Sequence, residues 1–287
     1  MKRRGIFSRI QASLAARIRS LRNGQALRTW GTPRIHQGIL PITLANPGYA
    51  AHILNLYRCL HARGLPWRPA VAVTDCATAE QMKQKGIQAL TLPNAPRGRE
   101  VARWLSRDFK EITFTKLDLL LDCQRVFPGI HLLFIDGDVA IYQNPWPYLL
   151  SCLEDHPEVL CFGQCDEEAR PRPGAHRECP NLCSGFLLIR APWPKRYPLI
   201  FNHGWHRRRS LLDYDCDQHF LNDVIQKNRI PTLAFDRTLV PNGAFLQNGI
   251  SSSALLLHYN YLIGPQKEQA MRARGDWLEE SAIPDSP

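Results

Sequence analysis

Two carboxylates one residue apart, Asp136 and Asp138, close the mostly apolar run Ile130-His-Leu-Leu-Phe-Ile135. At the end of a buried strand such a pair converges on a hard divalent cation, Mn²⁺ or Mg²⁺, and leaves coordination sites open for a substrate's phosphates. The intervening Gly137 lets the backbone come close to that substrate. The same pattern also occurs as solvated turn carboxylates; its position after an apolar run, inside an alternation of strands and helices, favours the metal reading. A second apolar run, Ala254-Leu-Leu-Leu257, delivers His258, with Gly264 and Lys267 behind it. An imidazole beside two carboxylates is an acceptable third ligand for Mn²⁺, and otherwise reads as a hydrogen-bonded core or turn residue. Between these runs, residues 213–222 are a dense polar cluster containing Asp217 and Gln218. It opens a helix carrying Phe220, Leu221, Val224 and Ile225, or forms an exposed acidic loop.

The elements that must position these groups alternate. Gly38–Thr43 reads as a strand followed by the turn Asn46-Pro47-Gly48, and residues 49–63 as a helix stopped by Gly64. Ala70–Thr74 is a second strand with Asp75 at its carboxyl end, 77–85 a helix stopped by Gly86, and 87–92 a third strand. A loop at 93–99 leads to two helices, 99–109 and 113–126, broken by Pro128-Gly129 before the strand that carries Asp136. Residues 139–142 continue extended, Asn144–Pro147 turns the chain, and a strand pair follows at 159–162 and 186–189 around a polar loop, 166–180. Strands alternating with helices across short turns predict an α/β fold, a parallel sheet covered by helices, with ligands at the carboxyl ends of the strands.

The 287 residues are enough for one large domain, and 44% hydrophobic with 22% charged residues is ordinary for a soluble globular chain. No stretch approaches the ~20 apolar residues of a membrane span, and the N-terminus lacks the apolar core of a secretory signal. The net charge of +10 is concentrated at the front: Met1–Thr74 holds twelve Lys and Arg and no Asp or Glu. Ile6, Ile10, Leu14, Ile18 and Leu21 recur at helical spacing among arginines, so residues 3–22 read as a basic amphipathic helix within an N-terminal segment, 1–30. It would lie either on an anionic membrane surface or on the protein's own core. Nine cysteines, an odd and scattered set, fit reduced thiols and a cytoplasmic setting, with peripheral contact on the membrane's cytoplasmic face. Paired C-x3-C units, Cys161/Cys165 and Cys179/Cys183, leave a zinc site open beside the reading as buried strand thiols.

In order and spacing these segments resemble the nucleotide-diphospho-sugar transferase family of the GT-A fold, which includes plant xylosyl- and arabinosyltransferase-like proteins and, more distantly, glycogenin-type retaining transferases. The matching pieces are Thr43-x-x-Asn46-x-x-Tyr49, Thr74-Asp75, Lys116, Phe134-Ile-Asp-Gly-Asp-Val139 with Asn144-Pro145, Ser184-Gly185-Phe186, Asp217-Gln218-x-x-x-Asn222, and His258-x-Asn260-x-x-x-Gly264-x-x-Lys267. The resemblance implies a Rossmann-like α/β/α sandwich over residues 31–280, with a mostly parallel central sheet. It implies Mn²⁺ (or Mg²⁺) on Asp136, Asp138 and His258, a nucleoside pocket lined by Thr43, Tyr49 and Asp75, and Lys267 on the departing diphosphate. Lys116, Gly137 and Gly264 join that donor site, Gln218 lies beneath the sugar's anomeric carbon, and Asp217 sits beside it. The donor would be UDP-linked and the transfer retaining; the acceptor, whether carbohydrate, lipid-linked or protein, would meet the loops 166–180 and 236–252. Cys183 stands where relatives usually have Asn, which alters the sugar contacts there. Asp75 also reads as a helix cap, Lys116 as a solvated helix residue, and Ser184-Gly185 as a tight strand entry.

Two rivals remain on the sequence. A haloacid-dehalogenase-like phosphatase also places D-x-D after an apolar strand, but near its N-terminus and with Thr or Val where this chain has Ala140. A basic nucleic-acid-binding protein would use the N-terminal charge, yet no helix-turn-helix, zinc finger or aromatic-basic motif gives that charge a reader.

Overall fold

Strand β1 (Ile39–Ala45) is apolar along nearly its whole length and buried at six of seven positions, as a strand covered on both faces must be. The computed structural model describes residues 24–92, 106–166, 181–197, 214, 216–246 and 249–279. On one side β1 pairs in parallel with β2 (Ala70–Val73), which pairs in parallel with β3 (Ala89–Thr91). On the other side it pairs in parallel with β4 (His131–Ile135). Beyond β4 lie β7 (Leu182–Ile189), β6 (Cys161–Cys165) and β8 (Thr232–Ala234), giving the order β3-β2-β1-β4-β7-β6-β8. β7 runs antiparallel to both β4 and β6, whereas β6 and β8 are parallel. The sheet is therefore mostly parallel, as the alternation predicts, with one reversed strand: β6 and β7 pair as antiparallel neighbours, which need no helical crossover between them.

Strand periodicity divides the core into two layers. Leu132 and Phe134 of β4, with Leu187 and Ile189 of β7, face a cluster built from α4 (Arg107–Val126), α6 (Asp217–Asn228) and the helical residues 24–31 (α1). Leu133 and Ile135 of β4, with Phe186 and Leu188 of β7, face α2 (Ala50–Ala62) and α5 (Trp146–Asp155) on the opposite side. Period-two side chains thus serve both layers from one strand. α3 (Cys76–Gln84) packs Met82 onto the β2 end of the second layer beside α2. Outside the main sheet, β5 (Val139–Ile141) and β9 (Leu256–His258) form an antiparallel ribbon, and α7 (Pro265–Ala273) follows it.

Two local readings change. The two helices expected at 99–109 and 113–126 are, over the described residues, one helix: Ser106 caps α4 by accepting from Phe109 N–H at 3.2 Å. Lys110-Glu-Ile112, the expected break, contains neither Gly nor Pro to cause one. Asn144–Pro147 is the start of α5 as much as a turn, since Asn144 Oδ1 accepts from Trp146 N–H at 3.2 Å and Pro is tolerated in a first turn. The expected amphipathic helix at 3–22 lies outside the described residues; in α1, Leu27 and Trp30 are buried in the core, and Trp30 Nε1 donates to Val71 O at 2.7 Å. Among the described residues no helix is long and apolar enough to cross a membrane.

One side chain fixes α6 against the sheet. Asn222 accepts from Leu182 N–H at 2.9 Å and donates to Leu182 O at 2.8 Å and Gln218 O at 2.9 Å, all inside the protein. Asn222→Ala strands those backbone groups, and we expect a loss of about 2–3 kcal/mol in urea-unfolding free energy. A loss under ~0.5 kcal/mol would show that the helix is held by its apolar face alone.

Candidate active site

Asp136 leaves β4 with its N–H bonded to Gly185 O at 2.7 Å, so pairing with β7 continues one residue past the strand. Asp138 enters β5, where Val139 is opposite His258 and Tyr259 N–H donates to Asp138 O at 3.0 Å. The ribbon's register thereby brings residues more than a hundred positions apart to one point. His258 Nε2 is 3.4 Å from Asp138 Oδ1 and 3.7 Å from Asp136 Oδ2. One ligand atom from each of the three residues lies within 4.8 Å of the others, in a group that could hold a metal ion.

These groups line a cavity of about 420 Å³, a size suited to a small-molecule ligand. Lys267, in the first turn of α7, forms an ion pair with Asp138 and donates to Tyr49 Oη at 3.1 Å. Gly264, which precedes that turn, has φ +55°, a conformation that favours glycine. Across the cavity, Lys116 of α4 is 3.4 Å from Asp136, 3.1 Å from Asp217 and 3.1 Å from Ser184 Oγ. Its ammonium also lies 4.7 Å from the centre of the Phe134 ring. Gln218 donates to Asp166 and accepts from Ser184 N–H at 3.4 Å.

Burial and charge oppose each other here. Asp138 is 1% exposed, and burial alone would keep it protonated; Lys267 and His258 outweigh that and hold its carboxyl well below the usual range. Burial likewise disfavours the charge on Lys116, but Asp136 and Asp217 overcome it and raise its pKa; Asp138 does the same for Lys267. Burial would strip the proton from His258, yet the Asp138 carboxylate reverses that and raises its pKa to about 10.

The donor set fits a hard divalent cation: two carboxylates and one imidazole. Two observations of the site support the fit. His258 Nε2 is buried and makes no hydrogen bond, only the longer approaches to Asp138 and Asp136, so a cation that displaces its proton would find the lone pair aimed at both carboxylates. Gly185 stands over the gap, and a Cβ there would collide with His258 Cε1 and Asp136 Oδ2, so only glycine keeps the space open. Gly137 is constrained from behind as well, because a Cβ would meet Ile53 Cδ1 of α2 at 2.7 Å.

The other expected site residues are placed as follows. Tyr49, Lys116, Gly137, Asp217, Gln218, Gly264 and Lys267 all line the cavity. Thr43 does not: it is 0% exposed within β1, and Leu44 and Asn46 form the wall at that strand's end. Asp75 does not line it either; it caps α3, accepting from Thr78 N–H and Oγ1 at 2.8 Å each. None of the described residues of 236–252 lines the cavity, and 167–180 lies outside the described residues, although Asp166 is part of the wall. The C-x3-C zinc reading fails on geometry, because Cys161 and Cys165 are four positions apart along β6, about 13 Å at the ordinary strand rise. Cys161 is buried in the core, and Cys179 lies outside the described residues. Sequence reasoning missed Asp166 and Gln164; the visible signal for Gln164 was a polar residue inside an otherwise buried strand.

A family model described as nucleotide-diphospho-sugar transferase matches residues 68–271. No curated protein matches the chain. Among solved structures, the galactosyltransferase LgtC in complex with donor and acceptor sugar analogues is similar over 84% of this chain and 97% of its own, at 14% identity and a TM-score of 0.54. A glycosyltransferase involved in glycosylation of the major capsid of PBCV-1 is similar over 82% of this chain and 98% of its own, at 13% identity and a TM-score of 0.50. At such identities the likeness is one of fold: the seven-stranded, mostly parallel sheet between helices has the GT-A architecture. The phosphatase alternative gives way to the family match.

Gly185→Ala tests the gap directly. The wild type should gain several degrees in melting temperature with saturating Mn²⁺, as a ligand bound to the native state requires. The variant should melt at the same temperature with and without the ion. A variant that keeps the full shift would mean that the ion sits elsewhere.

Proposed function

We propose that this chain, which belongs to the nucleotide-diphospho-sugar transferase family, transfers a sugar from a nucleotide-diphosphate donor with the help of Mn²⁺ or Mg²⁺ on Asp136, Asp138 and His258. The observation that carries the reading is the convergence of those three side chains around His258 Nε2, a buried atom that makes no hydrogen bond. When bound, a divalent cation would draw off the negative charge that develops on the donor's diphosphate as the sugar–phosphate bond breaks.

The chain's own groups divide the remaining work. Lys267, in the first turn of α7, offers an ammonium to the phosphates, and the positive end of that helix's dipole favours them. Tyr49 and Asn46 form the wall nearest the nucleoside, which we take to be uridine because similar transferases mostly use UDP-linked donors. On the opposite wall, Asp217 is held in place by Lys116, and the Gln218 amide is oriented by Asp166 and Ser184. A carboxylate and an amide oxygen facing the anomeric carbon stabilise the positive charge of an oxocarbenium-like sugar. Retention of configuration is carried over from the family resemblance. The acceptor would be a carbohydrate, a lipid-linked sugar or a protein.

We further propose peripheral contact with anionic membrane through the basic residues 3–22. Removing them should weaken co-sedimentation with phosphatidylserine vesicles at least tenfold; unchanged binding would retire the idea.

Slow donor hydrolysis needs no acceptor, so a screen of nucleotide sugars with Mn²⁺ is the direct test of activity. Asp138→Asn should lower that hydrolysis by about 10²–10³-fold, with far-UV circular dichroism unchanged. UDP with Mn²⁺ should raise the wild-type melting temperature, while DNA and RNA should not. Full activity in Asp138→Asn would show the metal assignment to be wrong.

A further inference from the structure

We infer that Gln164, which lies outside the cavity wall, is a positioning residue that fixes the proton of His258 on Nδ1 and so reserves Nε2 for the metal. The inference rests on the metal reading of the site and adds a residue to it.

The argument is an inventory of donors and acceptors. Gln164 is 0% exposed, in the middle of the register shift between β6 and β7. Its Nε2 faces two backbone carbonyls, Pro241 O at 2.6 Å and Val240 O at 3.3 Å. Carbonyl oxygens only accept, so the amide nitrogen must occupy that side and the flipped amide is excluded. Oε1 is therefore the atom 2.9 Å from His258 Nδ1. An amide oxygen also only accepts, so Nδ1 must carry hydrogen. An imidazole that ligates a cation is neutral and has one N–H, so with Nδ1 protonated the proton given up is the one on Nε2, the atom aimed at Asp136 and Asp138.

Two further features make the orientation rigid. Val139↔His258 pairing fixes the backbone on one side, and His258 N–H donates to Pro241 O at 3.3 Å, the same carbonyl that Gln164 holds. Cys183 Sγ, 3.7 Å from Nδ1, is a far weaker acceptor and cannot take over the role. Partners of this kind, bound to the far nitrogen of a ligating histidine, typically change metal affinity 10–100-fold when removed.

The test is Mn²⁺ affinity, read from the electron paramagnetic resonance of the free ion and so independent of turnover. Gln164→Met keeps the volume and removes both functions; we expect affinity to fall about 10–100-fold. Gln164→Glu keeps an acceptor toward Nδ1 but loses the donors to the carbonyls. It should bind Mn²⁺ within about threefold of wild type, while both variants melt at lower temperature. A purely structural residue would lower the melting temperature in both and leave affinity untouched. Wild-type affinity in Gln164→Met, or equal weakening in both variants, overturns the inference. Should a variant not fold, long-range ¹H–¹⁵N spectra of the Mg²⁺-loaded wild type decide alone: a proton on Nδ1 supports the assignment and a proton on Nε2 overturns it. If the wild type binds neither ion, the metal reading itself has failed, which is a separate result.

Discussion

Three carboxylates, Asp136, Asp138 and Asp217, are paired within one cavity with two ammonium groups, Lys116 and Lys267, which leaves these five groups one positive charge short. Asp138 and Asp217 are almost completely buried, so neither can rely on water for the difference. Taking ions out of water costs several kcal/mol each, and attraction between them offsets that only with good geometry. A proton on His258 supplies that charge, and a divalent cation in its place supplies more. The arrangement is therefore poor as a device for stability and well suited to a cationic ligand followed by an anionic one.

The surrounding structure can be understood as what keeps this charge in place. β4 is buried on both faces and delivers Asp136 rigidly, and β7 receives it by a backbone hydrogen bond beside the space that Gly185 leaves open. The β5–β9 ribbon adds His258, and α7 adds Lys267 at a helix start whose dipole favours anions. α4 and α6 bring Lys116 and Asp217 from the far side, and Asn222 ties α6 to the first residue of β7. The candidate ligands thus sit where strands end, Asp136 and Asp138 in the turn between β4 and β5 and His258 at the end of β9, so sheet and ribbon register bring them together.

Several readings that looked local turned out to be decided by neighbours. Asp75 has the residue type and strand-end position of a ligand-binding carboxylate, yet the N–H and hydroxyl of Thr78 were within reach and made it a helix cap. Thr43 is in the right segment, but strand alternation turned its side chain inward and gave the wall to Leu44 and Asn46. The C-x3-C spacing would suit a metal in a turn; in an extended strand it separates the two thiols by about 13 Å. Lys116 went the other way, from a plausible solvated helix residue to a buried ammonium between two carboxylates.

Sequence alone determined the alternation of strands and helices, the delivery of Asp136 and Asp138 by an apolar strand, and the candidacy of His258 and Lys267. Those depend on hydrophobic period and on residues adjacent in the chain, which a linear reading can see. Tertiary structure decided which candidates meet. The contacts Lys116–Asp217, His258–Asp138 and Gln164–His258 join residues about a hundred positions apart. Their partners are chosen by sheet register and by the need to satisfy each buried charge and hydrogen bond, conditions that exist only once the chain has folded.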